Sequence, residues 1–221
     1  MKLVYGDMGH ILTFDGGYVN ELVIENRGMF FSVVGDMASQ VDGGQGKFVL
    51  SIKDKPVEIS RYADITVQFA PFELNRKSLL TKLCTAIEGR ALLAENYIRT
   101  AELLCDLERY ILHLSDDLPF DVECKKLAIG PIVKAIAPEI AEGDKSPLEK
   151  IFAYMELVRE LDRDRLFVMV NMRTYFTDGE MESFAESVCL HGFRVLLLEG
   201  TSQNTLKNVR RYTIDDDLCE F

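Results

Sequence analysis

The sequence predicts an α/β protein in which a sheet domain is interrupted by a helical insert, and three patterns support this prediction. Residues 166–171 and 193–199 are two short apolar runs without polar alternation, as in strands that helices cover on both faces. Between them, Thr177 and Glu180 stand in the spacing of a capping box and start an amphipathic helix. Earlier, apolar residues keep a helical period from Leu79 to Ile111.

The amino-terminal third is predicted to be mostly β. Residues 3–5, 11–14 and 22–24 are short apolar runs separated by glycine and asparagine, which favours strands joined by tight turns. Asn26 is predicted to cap a helix. Residues 47–52 and 57–59 flank a turn at 53–56 and predict a hairpin, and residues 64–70 predict a further strand that ends before Pro71.

The central part of the chain is predicted to be helical. The periodic segment from Leu79 forms one helix of more than thirty residues, or two with a break near Gly89. An acidic turn at residues 115–123 follows, and then a second helix that carries Lys125, Lys126 and Lys134 and is interrupted at Gly130 and Pro131.

The chain then returns to the α/β pattern. Ser146, Pro147 and Glu149 have the spacing of an N-cap, a first-turn proline and a capping-box acid, so they start a helix that leads into the strand at Leu166. Residues 212–214 predict a last strand. The expected domains are a discontinuous α/β domain, residues 1–74 and 146–221, and an inserted helical domain, residues 75–145.

Two strands end in polar residues, Asn171 and Glu199, and ligands of open α/β sheets bind beyond such strand ends. An apolar strand ending in an acid is typical of a nucleotide hydrolase, but the sequence has no phosphate-binding P-loop. The nearest glycine-rich run has Val41 in place of the first glycine and Phe48 in place of the hydroxyl residue. We therefore expect a nucleotide-hydrolase-like sheet whose Asn171 and Glu199 hold neighbouring loops by hydrogen bonds, unless they are remnants of a hydrolytic site.

Composition narrows the possible functions. The net charge of −11 argues against a nucleic-acid binder as an average, although a local basic surface in a symmetric oligomer, or bound divalent cations, could still contact DNA. The five cysteines and three histidines are scattered, which favours reduced thiols over a zinc site. With no signal-peptide pattern and no run of about 20 apolar residues, we expect a cytoplasmic protein without a membrane span.

Particular strings resemble the small adaptation protein of type II-A CRISPR systems, the Csn-two family. The most specific are Leu166–Asn171, Thr174–Glu180, Val195–Glu199 and Arg211–Asp215. The resemblance spans nearly the whole chain, although the helical insert matches in pattern more than in letters. It implies a homotetrameric ring that binds the ends of linear double-stranded DNA, is stabilised by calcium, catalyses no reaction, and acts in spacer acquisition with the CRISPR integrase complex and the effector nuclease.

Calcium ligands would come from the acidic part of the insert. The spacing alone favours a structural role, in which Asp121 caps a helix, and with the resemblance both interpretations stay open. The candidate ligands are Asp116, Asp117, Asp121, Glu123 and Glu142.

DNA would be held by phosphate contacts without sequence preference. Any single exposed lysine is more often only part of a solvated face. The candidate DNA-binding residues are Lys53, Lys55, Arg61, Lys125, Lys126, Lys134 and Lys145.

Two other functions remain possible from the sequence. The strands ending in Asn171 and Glu199 would suit a nucleotide-dependent α/β hydrolase, which the missing P-loop opposes. The acidic charge would suit an assembly scaffold that makes no DNA contact.

Overall fold

The computed structural model describes residues 1–6 and 8–221. The chain forms two compact units, one made of Met1–Glu73 and Asp144–Phe221 and the other of Leu74–Gly143. In chain order the elements are β1 (Lys2–Tyr5), β2 (Leu12–Thr13), β3 (Val19–Ile24), α1 (Arg27–Val41), β4 (Phe48–Ile52), β5 (Lys55–Val57), α2 (Ile59–Tyr62), β6 (Ala63–Thr66), α3 (Lys77–Ala91), α4 (Ala94–Leu114), α5 (Ile129–Ile136), α6 (Pro147–Leu161), β7 (Leu166–Val170), a 3-10 turn (Met172–Thr174), α7 (Asp178–His191), β8 (Arg194–Glu199) and β9 (Val209–Ile214).

A five-stranded parallel sheet organises the first unit. Its strand order is β6-β7-β8-β3-β9, so the early strand β3 lies between two strands from the end of the chain. The predicted strand-helix-strand crossover is confirmed, because β7 and β8 are parallel neighbours joined through α7. The α/β fold class predicted from the sequence is therefore correct.

A second, antiparallel sheet of order β2-β1-β4-β5 packs into the same hydrophobic core. Leu3 and Leu50 of this sheet share the core with Leu22 and Leu196 of the parallel sheet and with Met37 of α1, and all five are almost fully buried. The predicted hairpin of β4 and β5 is confirmed.

Helix α1, helix α6 and helix α7 begin as the sequence predicts. The side chain of Asn26 accepts a hydrogen bond from the backbone N–H of Met29 at 3.0 Å and caps α1. Complete capping boxes at Ser146 and Glu149 and at Thr177 and Glu180 start α6 and α7. These local interactions satisfy N–H groups that the first turn of a helix leaves without partners.

The second unit agrees with one predicted alternative and departs from the prediction at another point. Two helices replace one, with the break at Leu92 and Leu93, near Gly89 as that alternative expected. The prediction that Lys125 and Lys126 lie in a helix is wrong, because residues 121–128 are irregular and α5 begins at Ile129. Pro131 explains the late start, because proline has no N–H and fits only the first turn of a helix.

In the first unit, the structure also differs from the sequence prediction in the region after the hairpin. Ile59, predicted to end the second hairpin strand, instead begins the short helix α2, and the strand predicted to reach residue 70 stops at Thr66, opposite Met169. Beyond this point the chain leaves the sheet and buries Phe69 and Phe72. The Phe72 ring packs edge-on against Tyr154 at 5.8 Å between centroids, so burial of these rings outweighs further strand pairing.

Candidate functional site

Asn171 and Glu199 lie at the carboxyl edge of the parallel sheet and hold adjacent backbone. The Asn171 side chain accepts a hydrogen bond from the N–H of Gly200 at 3.0 Å, and Glu199 accepts one from the N–H of Arg173 at 3.1 Å. The chain turns sharply after β7 because Asn171 has a left-handed φ of 53°, a conformation that asparagine tolerates well. The prediction that both residues hold neighbouring loops is confirmed.

A buried ion-pair network fills the sheet face next to these two residues. The Arg173 guanidinium donates from Nη1 to Glu21 at 2.7 Å and from Nη2 to Asp178 at 2.9 Å. The second oxygen of Glu21 accepts from Nε of Arg211 at 2.5 Å. Glu21 comes from β3, Arg211 from β9 and Asp178 from the start of α7, so the network joins three elements that are distant in sequence.

The same network fixes the loop that follows β8. Arg211 donates from its two terminal nitrogens to the carbonyls of Gln203 and Asn204, at 2.6 and 2.7 Å. The Asn204 side chain donates to the second carboxylate oxygen of Asp178 at 2.7 Å. Each charged side chain therefore meets a specific partner, which is the condition under which buried charge is tolerated.

Burial changes the acid-base behaviour of this face. Removal from water raises the pKa of Glu199 to about 7, against the opposing effect of the Arg173 N–H that donates to it, and the nearby Glu21 carboxylate raises it further. Burial lowers the pKa of Arg173, but hydrogen bonds to Glu21 and Asp178 outweigh this effect and the net pKa is raised. Arg173 is thus a fixed cation and Glu199 a carboxyl that titrates near neutral pH.

Sequence reasoning did not find Glu21, Arg173, Asp178 or Arg211. The available signal was Glu21, a carboxylate directly before the apolar run 22–24, since an acid in a central strand requires a partner. Its partner lies 152 positions away in sequence, and no local pattern indicates which arginine it is.

The predicted calcium ligands lie in the second unit, four of them in or beside the irregular segment that follows α4. Asp116 pairs with the His113 ring at 3.1 Å, Asp121 and Glu123 are exposed, and the expected helix cap at Asp121 is not formed. Asp117 is also exposed and Glu142 is half-buried. Within residues 1–6 and 8–221, no three His, Cys, Asp or Glu side chains converge as a metal cluster. In this conformation the five residues do not form a ready calcium cage, and calcium binding stays a prediction.

The predicted DNA-binding residues are all exposed and are divided between the units. Lys53 lies in the β4–β5 turn, Lys55 in β5, and Arg61 pairs with Glu58 at 2.8 Å in α2. Lys145 precedes α6. In the second unit, Lys125 and Lys126 lie in the irregular segment and Lys134 in the last turn of α5. Their exposure permits phosphate contacts, and their role in DNA binding stays a prediction.

Helix α4, the longest of the described helices, carries apolar side chains that face solvent. Leu103, Leu107, Tyr110 and Leu114 repeat every three or four residues along one face of α4 and are each at least 40% exposed. Charged residues interrupt this surface, and nowhere in the described chain is a helix both long and apolar enough to cross a bilayer. An exposed apolar helix face of this kind is typical of a protein contact.

Fold and site together define the class of protein: an α/β protein with a parallel sheet and no P-loop between β3 and α1. The sheet is parallel with helices in its crossovers, and β3 is joined to α1 only through Glu25 and Asn26, where a phosphate cradle would require a glycine-rich loop. The ion pairs of Arg173 and Arg211 with Glu21, and of Arg173 with Asp178, lie beside its carboxyl edge.

Comparison with known proteins identifies the family. The family model for CRISPR-associated protein Csn2 matches residues 40–218. The CRISPR-associated protein Csn2 of Enterococcus faecalis is 26% identical over 97 residues, which cover 44% of this chain and 43% of that protein. Since the family match extends over most of the chain, this protein belongs to the Csn2 family of CRISPR-associated proteins.

A solved structure agrees in fold. Stu0660 of Streptococcus thermophilus superimposes with a TM-score of 0.61 at 12% identity, covering 96% of this chain and 74% of that chain. At this identity the likeness concerns the fold alone. The chain matches less than half of the length of the Enterococcus protein.

Proposed function

We propose that this protein binds the ends of linear double-stranded DNA without sequence preference, as a calcium-dependent homotetrameric ring, during acquisition of CRISPR spacers. Membership of the Csn2 family carries the proposal. Its partners would be the CRISPR integrase complex and the effector nuclease. We also propose that it catalyses no reaction.

The absence of catalysis is supported by the sheet. A P-loop hydrolase needs backbone N–H groups around the phosphates and a lysine and hydroxyl beside them. Here the strand that would lead into such a loop enters α1 through two residues, and Asn26 caps the helix with its own side chain. Isothermal calorimetry with ATP and GTP tests the competing assignment, and nucleotide binding would favour a nucleotide-dependent hydrolase.

The exposed basic residues support DNA binding. The negative net charge of the chain supports assembly of several copies, for the following reason. At a net charge of −11, one chain repels a polyanion on average, so DNA binding requires that basic side chains from several copies face the same duplex. The exposed apolar side chains of α4 give a surface through which copies can associate. Calcium would reduce the negative charge of the 116–123 segment.

The decisive experiment is a gel-shift assay with the same duplex in linear and closed-circular form, each with calcium and with a chelator at constant ionic strength. We expect retention of linear DNA with calcium and its loss on chelation. Equal retention of both forms would contradict binding by ends, and no retention of either would favour the scaffold without DNA contact. Light scattering after size exclusion, with and without calcium, tests the tetramer.

A further inference from the structure

The first unit contains a concave surface that lies between the amino-terminal halves of α6 and α7, and we call it the α6–α7 groove. It has a volume of about 770 Å³. On α6 it is lined by Glu149, Phe152, Ala153 and Glu156, and on α7 by Gly179, Glu180, Ser183, Phe184 and Ser187. Each set repeats every three or four residues, so each helix presents one continuous stripe to the groove.

The floor of the groove is aromatic. Phe152 packs edge-on against Phe193 at 5.4 Å between ring centroids and against His191 at 4.9 Å, and Phe184 is buried. At one end Tyr175 leaves about half of its surface exposed. Rigid rings in a concave site offer large contact area at a low cost in side-chain entropy, which is typical of the centre of a protein contact.

The rim of the groove is acidic. Glu149, Glu156 and Glu180 are exposed carboxylates, and Lys145 is the single cation among the described residues that line the groove. Hydrogen bonds from the backbone N–H groups of Ser146 and Thr177 hold the pKa of Glu149 and of Glu180 below their usual value, so both carry negative charge at neutral pH.

The two helix starts at this end do not provide an anion site. The capping side chains already occupy one first-turn N–H group of each helix, with Ser146 bonded to the N–H of Glu149 and Thr177 to the N–H of Glu180. The same boxes place two carboxylates where a phosphate would approach. DNA is therefore disfavoured here, and the complementary ligand is cationic.

We propose that the α6–α7 groove docks a short segment of a partner protein in which an aromatic or leucine side chain is flanked by lysine or arginine. The apolar side chain enters between Phe152 and Phe184, and the cations meet Glu149, Glu156 and Glu180 on the rim. Two helix stripes and a groove of this size suit an amphipathic segment of about two to three turns. Lys145 is the one residue shared by the groove lining and the candidate DNA-binding set, and the docking proposal does not depend on DNA binding.

Selection from a random dodecapeptide library displayed on phage, against the whole protein, tests the proposal. We expect enrichment of peptides with at least two Lys or Arg and one large apolar residue. Synthetic copies should bind by fluorescence anisotropy with micromolar Kd, weakened tenfold or more by Glu156→Lys and by Ala153→Trp, which fills the groove.

Glu186→Lys is the matched control, because it makes the same change of charge on α7 outside the residues that line the groove. It should leave peptide affinity within about twofold, as expected for an exposed residue outside the contact. Thermal unfolding checks that each variant is folded. The proposal is overturned if selection yields no such peptides, if they bind Ala153→Trp as tightly as the original protein, or if Glu186→Lys weakens them as much as Glu156→Lys does.

DNA and self-association are the competing occupants. Linear duplex whose retention falls with Ala153→Trp would assign the groove to DNA, and a change in oligomeric state with this variant would assign it to a second copy of the chain. Either result would overturn the peptide proposal. We expect both properties to be unchanged.

Discussion

Arg173 and Glu21 form an ion pair at 2.7 Å although 152 positions separate them, and both side chains are only 1% exposed to solvent. Exchange of Arg173 for methionine should lower the free energy of unfolding by about 3 to 5 kcal/mol, because a buried carboxylate loses one of its two cations. Urea unfolding monitored by circular dichroism measures this change.

The matched control is Glu58→Ala, which removes an ion pair with Arg61 in which both side chains are 69% exposed. Solvent screens such a pair, so its loss should cost less than about 1 kcal/mol. Equal losses for the two variants would show that the buried network does not stabilise the sheet.

Glu199 should make stability depend on pH. Its ordinary pKa is 4.5 and the folded value is about 7, so between these values the folded protein holds a proton that the unfolded chain has released. Stability contributed by the protonated form is present at pH 4.5 and below and is lost as the pH rises to about 7. The full difference corresponds to about 3 kcal/mol, at about 1.4 kcal/mol per pKa unit.

Exchange of Glu199 for glutamine tests this pH dependence, since glutamine keeps the oxygen that accepts from Arg173 but does not titrate. Relative to the original protein, the variant should gain stability between pH 5 and pH 8, as measured by urea unfolding. Parallel pH profiles for the two proteins would show that Glu199 does not titrate in this range.

The capping box of α7 should contribute measurable stability. Thr177→Ala removes the hydroxyl that accepts from the N–H of Glu180, and a loss of about 1 kcal/mol is expected in urea unfolding. Ser32→Ala removes a hydroxyl inside α1 that bonds only to the carbonyl one turn earlier. Alanine favours helix more than serine does, so this control should be neutral or slightly stabilising.

Lys125 and Lys126 provide a test of the proposed DNA interface. Replacement of both by alanine should weaken retention of linear duplex and lower the slope of log K against log salt by about 0.9 for each phosphate that a lysine no longer neutralises. Lys207→Ala is the control, because this lysine is 83% exposed and lies outside the predicted set. An unchanged salt slope in the double variant would remove these two lysines from the interface.

Local signals explain how much of the fold could be predicted from the sequence. The capping boxes at Ser146 and Thr177 and the apolar runs of β7 and β8 depend on neighbours within a few residues, and these elements were predicted correctly. The end of β6 could not be predicted, because it follows from burial of Phe69 and Phe72 against residues distant in sequence.

For the same reason, only part of the candidate site could be predicted from the sequence. Asn171 and Glu199 could be found because each ends an apolar run. Arg173 and Arg211 belong to the site because both donate hydrogen bonds to Glu21 of β3, and these residues come together only in the folded protein. The irregular segment that carries Lys125 also departs from its sequence pattern, and there the backbone N–H of Leu127 donates to Glu108 of α4 at 2.7 Å.

The position of β3 between β8 and β9 has a consequence for synthesis of the protein. The ribosome makes β3 early, but β8, the first of its two neighbouring strands to be synthesised, begins only at Arg194. At a translation rate of roughly 5 to 20 residues per second, about 10 to 30 seconds pass between synthesis of β3 and synthesis of its first partner strand. During that interval β1, β4 and β5 can already pair, while β3 stays a target for chaperones and for other nascent chains. The sheet therefore closes only when translation is almost complete.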